Sequence, residues 1–580
     1  MFCKWGFSYN KMKWVFIIIS FIFLGVSLSF FTSINRVEDR PFITVNGQKI
    51  YLFEQEGKKY GFLPSFVQEK DISQIDKKDI VILQSENIPA VFINTESYST
   101  DILFENSDNK ESGELTVIGA DGQILYKNRV KSIKGRGNLT FYETNKKSLA
   151  ITLFEETGLL GNAKGKKYAL LSNIFDPSLI RNDIAEKMAV ELELTQNTGT
   201  FVDLYLNGEY YGNYYFTGNI EVADEKINVN RLEDVVDKVT GSDYENYEVC
   251  QDEKSKALLF SIPAEIDITG GYVVEREYRS RWEKEQERNP ATFITKNNEN
   301  FIVKSPQYCS NEQIEYIMDV FNNAEMAILS DDGINPYTNQ HYTFYIDEDS
   351  FVRKYMLEEV CKNYDGGVTS SYFYKDSDSI DSRIKAGPIW DYDMTWGNYR
   401  HREMKVVGES PLGVTKLSLN SNSSPWFGSL YKKDSFYNKV CSLYREKISM
   451  YLEELAESGI EEYKDYLDAS WDMNYIRWKS EIDNNACFKN KETSFDELAE
   501  YISERKHFLD SVWIDGKQYY NLEFRRNNKK IEIRFIEEGN AIGEMPQEDN
   551  CTIWECDTIG VVDSNTKVYT DMIITDKMEE

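Results

Sequence analysis

An uncharged apolar run of 18 residues, WVFIIISFIFLGVSLSFF at 14–31, follows Lys4, Lys11 and Lys13. A run of about this length can cross a bilayer as a helix, and basic residues on its N-terminal side keep that side in the cytoplasm. This divides the chain into a cytoplasmic stub (1–13), a transmembrane signal anchor (14–31) and a large extracytoplasmic part from about residue 36. The alternative is a cleaved signal peptide, for which Ser27-Leu28-Ser29 is a poor small-x-small site. The run exceeds the roughly 7–15 apolar residues of a signal peptide, which favours a retained single-pass anchor over secretion after cleavage. Either way, the remainder is exported.

The chain has 580 residues, enough for two to four domains. Hydrophobic residues at 41% and charged residues at 28% exclude wholesale disorder. A net charge of −31 repels a phosphate backbone, so nucleic acid is excluded as a partner. Nucleotide bound as a metal complex is not excluded, because carboxylates can hold the divalent ion. The 8 cysteines form no CxxC pair, the 3 histidines are dispersed, and no G-x-S-x-G elbow occurs. Chemistry therefore falls to carboxylates, lysines and hydroxyls.

Residues 41–130 alternate short apolar runs with turn residues, including hairpin signals at Asn46-Gly47 and Asp121-Gly122, so that 36–87 reads as a β-rich N-terminal segment. Helical periodicity follows at Ile180, Ile184, Met188 and Leu192, at Ile314, Ile317, Met318 and Phe321, and at Phe351, Met356, Leu357 and Val360. A helical region covers about 432–512, with Phe436, Val440, Leu443 and Ile448 on one face, and strand patterns return from about 516. The spacing predicts an α+β body with flanking β-rich segments.

The stretch 351–398 carries most of the chemistry. A helix (FVRKYMLEEVC) runs into the loop NYDGGVTSS, then a strand (YFYKD), a turn, a second strand (SRIKA) and GPIWDYDMTWGN. Asp365 thus stands before a hairpin, and Asp391 and Asp393 after it. Protein kinases use this order: a catalytic Asp, a metal-binding amide five residues on, a hairpin, and a metal-binding Asp. Position 370, five after Asp365, is Ser, whose hydroxyl can also ligate Mg²⁺. Asp-x-Asp in an acidic chain is often a solvated turn. Here Trp390, Tyr392 and Trp396 surround the pair, and carboxylates among apolar groups need a cation or metal.

Upstream, IKGRGNLTF at 133–141 precedes NKKSLAITL at 145–153. A turn at Gly135 and Gly137 ahead of a lysine-bearing strand can approach a nucleotide and set an ammonium on its phosphates. The bland reading of Lys146 and Lys147 is a solvated strand edge. The alternation Lys147-Leu149-Ile151-Leu153 puts Lys147 on the apolar face. Glu191, seven residues after Ile184, shares the apolar face of its helix and could pair with Lys147, or it could simply end the helix.

Taken in order, IPAVFINT (88–95), IKGRGNLTF, NKKSLAITL, SNIFDPSLIRNDIAEKMAVEL (172–192), NGEYYGNYYF (207–216), GGYVVERE (270–277), FIVKSP (301–306), the Asp365 loop and GPIWDYDMTWGN resemble the CotH kinase family, named for a bacterial spore-coat protein. The resemblance covers about 88–440, with 441–515 as a helical continuation of the body. It implies an atypical bilobal protein-kinase-like fold that transfers phosphate from ATP to protein Ser or Thr. It also implies Lys147 on the ATP phosphates, Asp365 as the catalytic-loop Asp, and Mg²⁺ or Mn²⁺ held by Asp391 or Asp393. The chain departs from the family pattern at Thr217-Gly218-Asn219-Ile220, where an acidic residue is usual, and in the Asp365 loop, which offers Thr369, Ser370 and Ser371 in place of His or Asn. In the tail, 516–580, IEIRFIEEGNAIGEMP (531–546) and TIWECDTIGVVDSNTKVYTDMII (552–574) look like one Listeria–Bacteroides-type surface repeat, or are simply a β-rich cap.

Three functions follow as expectations. The first is a membrane-anchored, extracytoplasmic kinase acting on proteins of the cell surface or spore coat. The second is a catalytically silent surface or coat protein serving adhesion or assembly on the same fold. The third, glycan hydrolysis by paired carboxylates, has composition in its favour but no motif.

Overall fold

The computed structural model describes residues 40–72, 77–195, 197–241, 244–398, 407–408, 425–485, 488–546 and 552–578. The apolar run at 14–31 lies outside them. Among the described residues no helix is long and apolar enough to cross a membrane.

Turn chemistry sets the first elements. Asn46 and Gly47 both adopt positive φ (49° and 75°), as a two-residue hairpin loop requires, and join β1 (Phe42–Val45) to β2 (Gln48–Tyr51). Strands β3 (Phe53–Gln55), β4 (Lys58–Leu63) and β5 (Ile80–Gln84) form a separate three-stranded sheet.

Seven strands then close into a barrel: β6 (Ala90–Thr95), β7 (Glu111–Ile118), β8 (Ile124–Arg136), β9 (Ser148–Thr157), β10 (Gly165–Leu171), β11 (Gly199–Leu206) and β12 (Glu209–Gly218). Their order around it is β10-β12-β11-β6-β7-β8-β9. The Asp121-Gly122 turn joins β7 to β8. Val91, Ile93, Leu115, Val117, Ile133, Leu149, Ile151, Leu204 and Phe216 come from alternate positions of these strands and fill one core. Between β10 and β11 the chain forms helix α1 (Arg181–Glu191), whose buried face runs through Ala185, Met188, Ala189 and Leu192.

The second unit is an antiparallel seven-stranded sheet of order β13-β14-β16-β17-β15-β18-β19. Its members are β13 (Val249–Gln251), β14 (Ser255–Leu258), β15 (Tyr272–Glu277), β16 (Thr292–Ile294), β17 (Asn300–Ser305), β18 (Ser371–Lys375) and β19 (Ile384–Ala386). Helix α2 (Arg279–Arg288) follows β15 directly. Helices α3 (Asn311–Leu329) and α4 (Glu348–Val360) supply Phe321 and Phe351, which meet Phe301, Phe373 and Trp426 in an aromatic cluster (Phe301–Phe321 centroids 4.8 Å apart).

The helical region begins at Pro425–Tyr431 and ends with α5 (Ile460–Ile482) and α6 (Lys491–Trp513). Helix α5 ties the region to the barrel. Trp478 Nε1 donates to the Tyr211 carbonyl (2.7 Å), Arg477 Nε to that of Tyr210 (3.1 Å), and Asn474 accepts from the Asn213 amide (3.2 Å). Trp478 leaves helical geometry (φ −118°, ψ 21°), so the helix kinks where it grips the strand. The tail folds as a five-stranded sheet around Leu522, Phe524, Trp554, Val568 and Ile574.

Arg505 on α6 fixes the helical region to the second unit. Fully buried, it donates through Nη2 to the Glu359 carboxylate (2.8 Å) and carbonyl (2.6 Å) on α4. Removing one partner of a buried pair strands the other charge. Glu359→Ala should therefore destabilise the body by about 3–5 kcal/mol, whereas Glu359→Met with Arg505→Met should recover most of that. Urea unfolding followed by tryptophan emission measures both, and an unshifted midpoint for Glu359→Ala would refute the assignment.

Candidate active site

Asp365 and Asp391 enter and leave one hairpin. Helix α4, capped by the Asp347 side chain accepting from Ser350 N (3.0 Å), ends at Cys361. The chain then folds over Asp365, whose carbonyl accepts from Val368 N and Thr369 N (both 2.9 Å) and whose own amide donates to Asn363 Oδ1 (3.1 Å). Strands β18 and β19 pair with Phe373 opposite Ala386, and residues 387–398 return beside the Asp365 loop. The hairpin read from the sequence is present, and it brings Asp365, Asp391 and Asp393 into one electrostatic neighbourhood.

Buried polar contacts hold the second loop. Tyr392 N donates to Asn182 Oδ1 (2.8 Å), and its hydroxyl donates to Glu358 (2.7 Å), which is ion-paired with Lys354. Trp396 N reaches the Cys361 carbonyl (2.8 Å), Arg181 Nε the Thr395 carbonyl (3.0 Å), and Asn398 the Asp393 carbonyl (2.6 Å). Arg181 also pairs with Asp176, which accepts from the Arg181 amide (2.8 Å) at the start of α1. Asp391 is held at φ 71°, a left-handed conformation costly for a residue other than glycine and concentrated at functional sites.

All three carboxylates are raised, first by burial. Burial pushes Asp365 up to about 6, with Asp391 adding to the rise and Arg281 opposing it. Burial, then Asp391, Asp176 and Asp365, push Asp393 well above the usual range. Asp391 keeps contact with solvent yet has protein around it deeply enough that burial raises it as well, against Arg136 and Arg281. These are hard oxygen donors in mutual repulsion, the chemistry that suits Mg²⁺ or Mn²⁺. Among the described residues no three Asp, Glu, His or Cys side chains form a ready metal cluster. A Mg²⁺ site of the phosphate-transfer kind uses only one or two carboxylates alongside substrate phosphates, and the residues present fit that type.

Two arginines and two glutamates, none of them singled out from the sequence, complete the neighbourhood. Arg281, on α2, donates to Thr369 of the Asp365 loop (Nη1, 2.9 Å) and pairs with Glu277 (2.9 Å). With the Asn138 amide oxygen turned toward it, it also reaches that side chain at 2.9–3.2 Å, joining the barrel to the second unit. Glu275 accepts from Tyr372 (2.9 Å) and pairs with Lys304 (3.0 Å). Although burial works to raise Glu275, Lys304 and Arg281 hold it low, whereas burial and Glu275 push Glu277 up to about 8. The signal for the glutamates was the alternation in GGYVVERE, which places Glu275 and Glu277 on the same strand face as Val273. Arg136, the last residue of β8, lies over the Trp390 ring at 4.6 Å.

The upstream expectations require correction. Of the two adjacent lysines, Lys147 is not the one that points inward. It is half-buried at the barrel end, its ammonium donating to the Phe141 carbonyl and lying over that ring. The buried lysine is Lys146, which donates to the carbonyls of Ser172 and Asn213 (both 2.6 Å). Burial pulls it well below the usual lysine range. The alternation fails here because the strand proper begins only at Ser148. Gly135 lies within β8 rather than in a turn, and only Gly137 (φ 95°) makes the bend. Glu191 is exposed, just off the buried face of α1, and does not meet Lys147. Ser370 is buried at the end of the Asp365 loop with φ 49°.

The chain matches the family model described as CotH kinase protein over residues 133–509, more than half of its length. It belongs to the CotH kinase family. No curated protein matches it.

Two acids of α1 face inward: Asp183, which is buried, and Glu186, which accepts from the hydroxyls of Tyr215 (2.7 Å) and Thr217 (3.0 Å). Burial pushes Glu186 up to about 8, against an unfolded value near 4.3. Its contribution to stability is therefore complete below about pH 4 and is lost as pH rises through 8. Glu186→Gln removes this titration. The variant's melting temperature should gain on wild type between pH 5 and 8 and run parallel above that, whereas parallel curves throughout would disprove the shift.

Proposed function

We propose that this protein is an exported kinase, anchored by residues 14–31, that transfers the γ-phosphate of ATP to Ser or Thr hydroxyls of proteins at the cell surface or spore coat. The observation carrying this reading is the convergence of Asp365, Asp391 and Asp393 at the two ends of one hairpin in a CotH kinase family member.

The acceptor hydroxyl oxygen attacks the γ-phosphorus, the bond to the β–γ bridging oxygen breaks, and ADP leaves with that electron pair. Asp365 orients the hydroxyl and takes its proton. A carboxylate raised to about 6 is a stronger base than an ordinary one and is still mainly ionised at pH 7. Asp391 and Asp393, with the Ser370 hydroxyl, would hold Mg²⁺ or Mn²⁺, which when bound neutralises charge on the phosphates. Positioning and charge neutralisation supply most of the acceleration, since phosphoryl transfer asks for little covalent help.

The second reading is a catalytically silent surface or coat protein. It is favoured by the Lys147–Glu191 arrangement, which does not supply the lysine–glutamate pair of protein kinases.

The detergent-solubilised full chain, incubated with ATP and Mg²⁺ or Mn²⁺, should gain phosphate by intact mass. Asp365→Asn should slow incorporation by roughly 100-fold or more, and Asp391→Ala with Asp393→Ala should abolish it. No incorporation, joined to no shift of melting temperature with nucleotide and metal, would leave the silent reading.

A further inference from the structure

Arg136 is a charged group with too few partners. Among the described residues its Nη1 is buried without a hydrogen-bond acceptor, and no carboxylate forms an ion pair with it. Burial works against its charge, and Asp391 and Glu275 work in its favour without contacting it. A buried donor left unmade costs free energy, and such exceptions in folded proteins call for an explanation.

The surrounding residues hold the guanidinium in place rather than satisfy it. A Cβ on Gly135 would meet the Phe141 ring at 2.3 Å, and one on Gly137 would meet Thr140 Oγ1 at 2.0 Å. The two glycines let the 139–143 turn fold tightly against the end of β8 and leave Arg136 as the side chain presented to the second unit. There its plane lies over Trp390, the residue before Asp391. A flat cation preset on an aromatic face, with donors free and a metal-type carboxylate close by, matches a phosphate group, which accepts two parallel N–H bonds from one guanidinium. Lys147, engaged with Phe141 and beyond the bend at Gly137, offers no comparable arrangement.

We infer that Arg136, rather than Lys147, is the phosphate-binding cation of the site, and that without nucleotide it serves as a counter-ion to Asp391. The inference rests on the kinase reading. It has a two-sided consequence: removing the guanidinium deprives the phosphates of a donor and at the same time strips Asp391 of positive charge that repels a metal ion.

Calorimetric titrations of the detergent-solubilised full chain test this with three probes: ATP with Mg²⁺, tripolyphosphate with Mg²⁺, and Mn²⁺ alone. Arg136→Ala should weaken ATP and tripolyphosphate by a similar factor of about 10 or more. Arg136→Lys should fall in between, and Lys147→Ala should stay within about twofold of wild type. Mn²⁺ alone should bind Arg136→Ala more tightly than wild type. A misfolded variant would lose all three ligands, so opposite signs for phosphate and metal separate the proposed role from a structural one. Unchanged ATP binding in Arg136→Ala, with loss in Lys147→Ala, would overturn the inference and leave the kinase reading standing. An effect on ATP but none on tripolyphosphate, or weaker Mn²⁺ binding, would also overturn it. Failure of the wild-type chain to bind ATP with metal would overturn both.

Discussion

Several carboxylates drawn into one cleft repel one another unless positive charge is brought in with them. Asp365, Asp391 and Asp393 face this constraint at the ends of a single hairpin. The compensation comes from far along the chain: Arg281 from the helix after β15, Arg136 from the end of a barrel strand, and Arg181 from the first turn of α1. Each arginine belongs to a different element, so the acids oblige the barrel, the second sheet and α1 to meet. At an effective dielectric near 20, unit charges about 4 Å apart interact by about 4 kcal/mol, large enough to matter against a marginal folding stability.

The hairpin itself was legible because it is local. Two short strands with a polar turn, bracketed by acids, need no knowledge of distant residues, and β18 and β19 lie where the pattern placed them. The helices of 181–191, 311–329 and 348–360 were likewise readable from one apolar face. The cations were not, because their role depends on what lies opposite. Arg136 stands between the two glycines of its motif, and nothing in IKGRGNLTF says that Trp390 will face it. Lys146 and Lys147 are adjacent, and which one is buried depends on a bend ahead of Ser148 that alternation alone cannot reveal. Glu191 and Ile184 share a helical face only approximately, and the drift across two turns carried Glu191 off the buried edge.

Polar residues also do the joining elsewhere. Asp203 on β11 accepts from Ser470 of α5 (2.7 Å) and from Tyr210 (3.0 Å), and Asn213 donates to the same serine (2.9 Å). Asp183 accepts from Tyr215 (2.9 Å) and from Tyr463 of α5. These contacts are directional, so they fix the angle at which α5 lies across β12 as apolar packing alone would not. The wealth of tyrosine in the composition acquires a purpose: an aromatic body for the core and a hydroxyl for a carboxylate on the far side.

The barrel closes on itself, and closure removes both free edges of its sheet. A sheet with edges can fray, slip register or accept a strand from a neighbour; a closed one can do none of these without tearing. The barrel therefore holds its shape as a unit, and the end of β8 that carries Arg136 is set by the whole ring of strands rather than by its two neighbours alone.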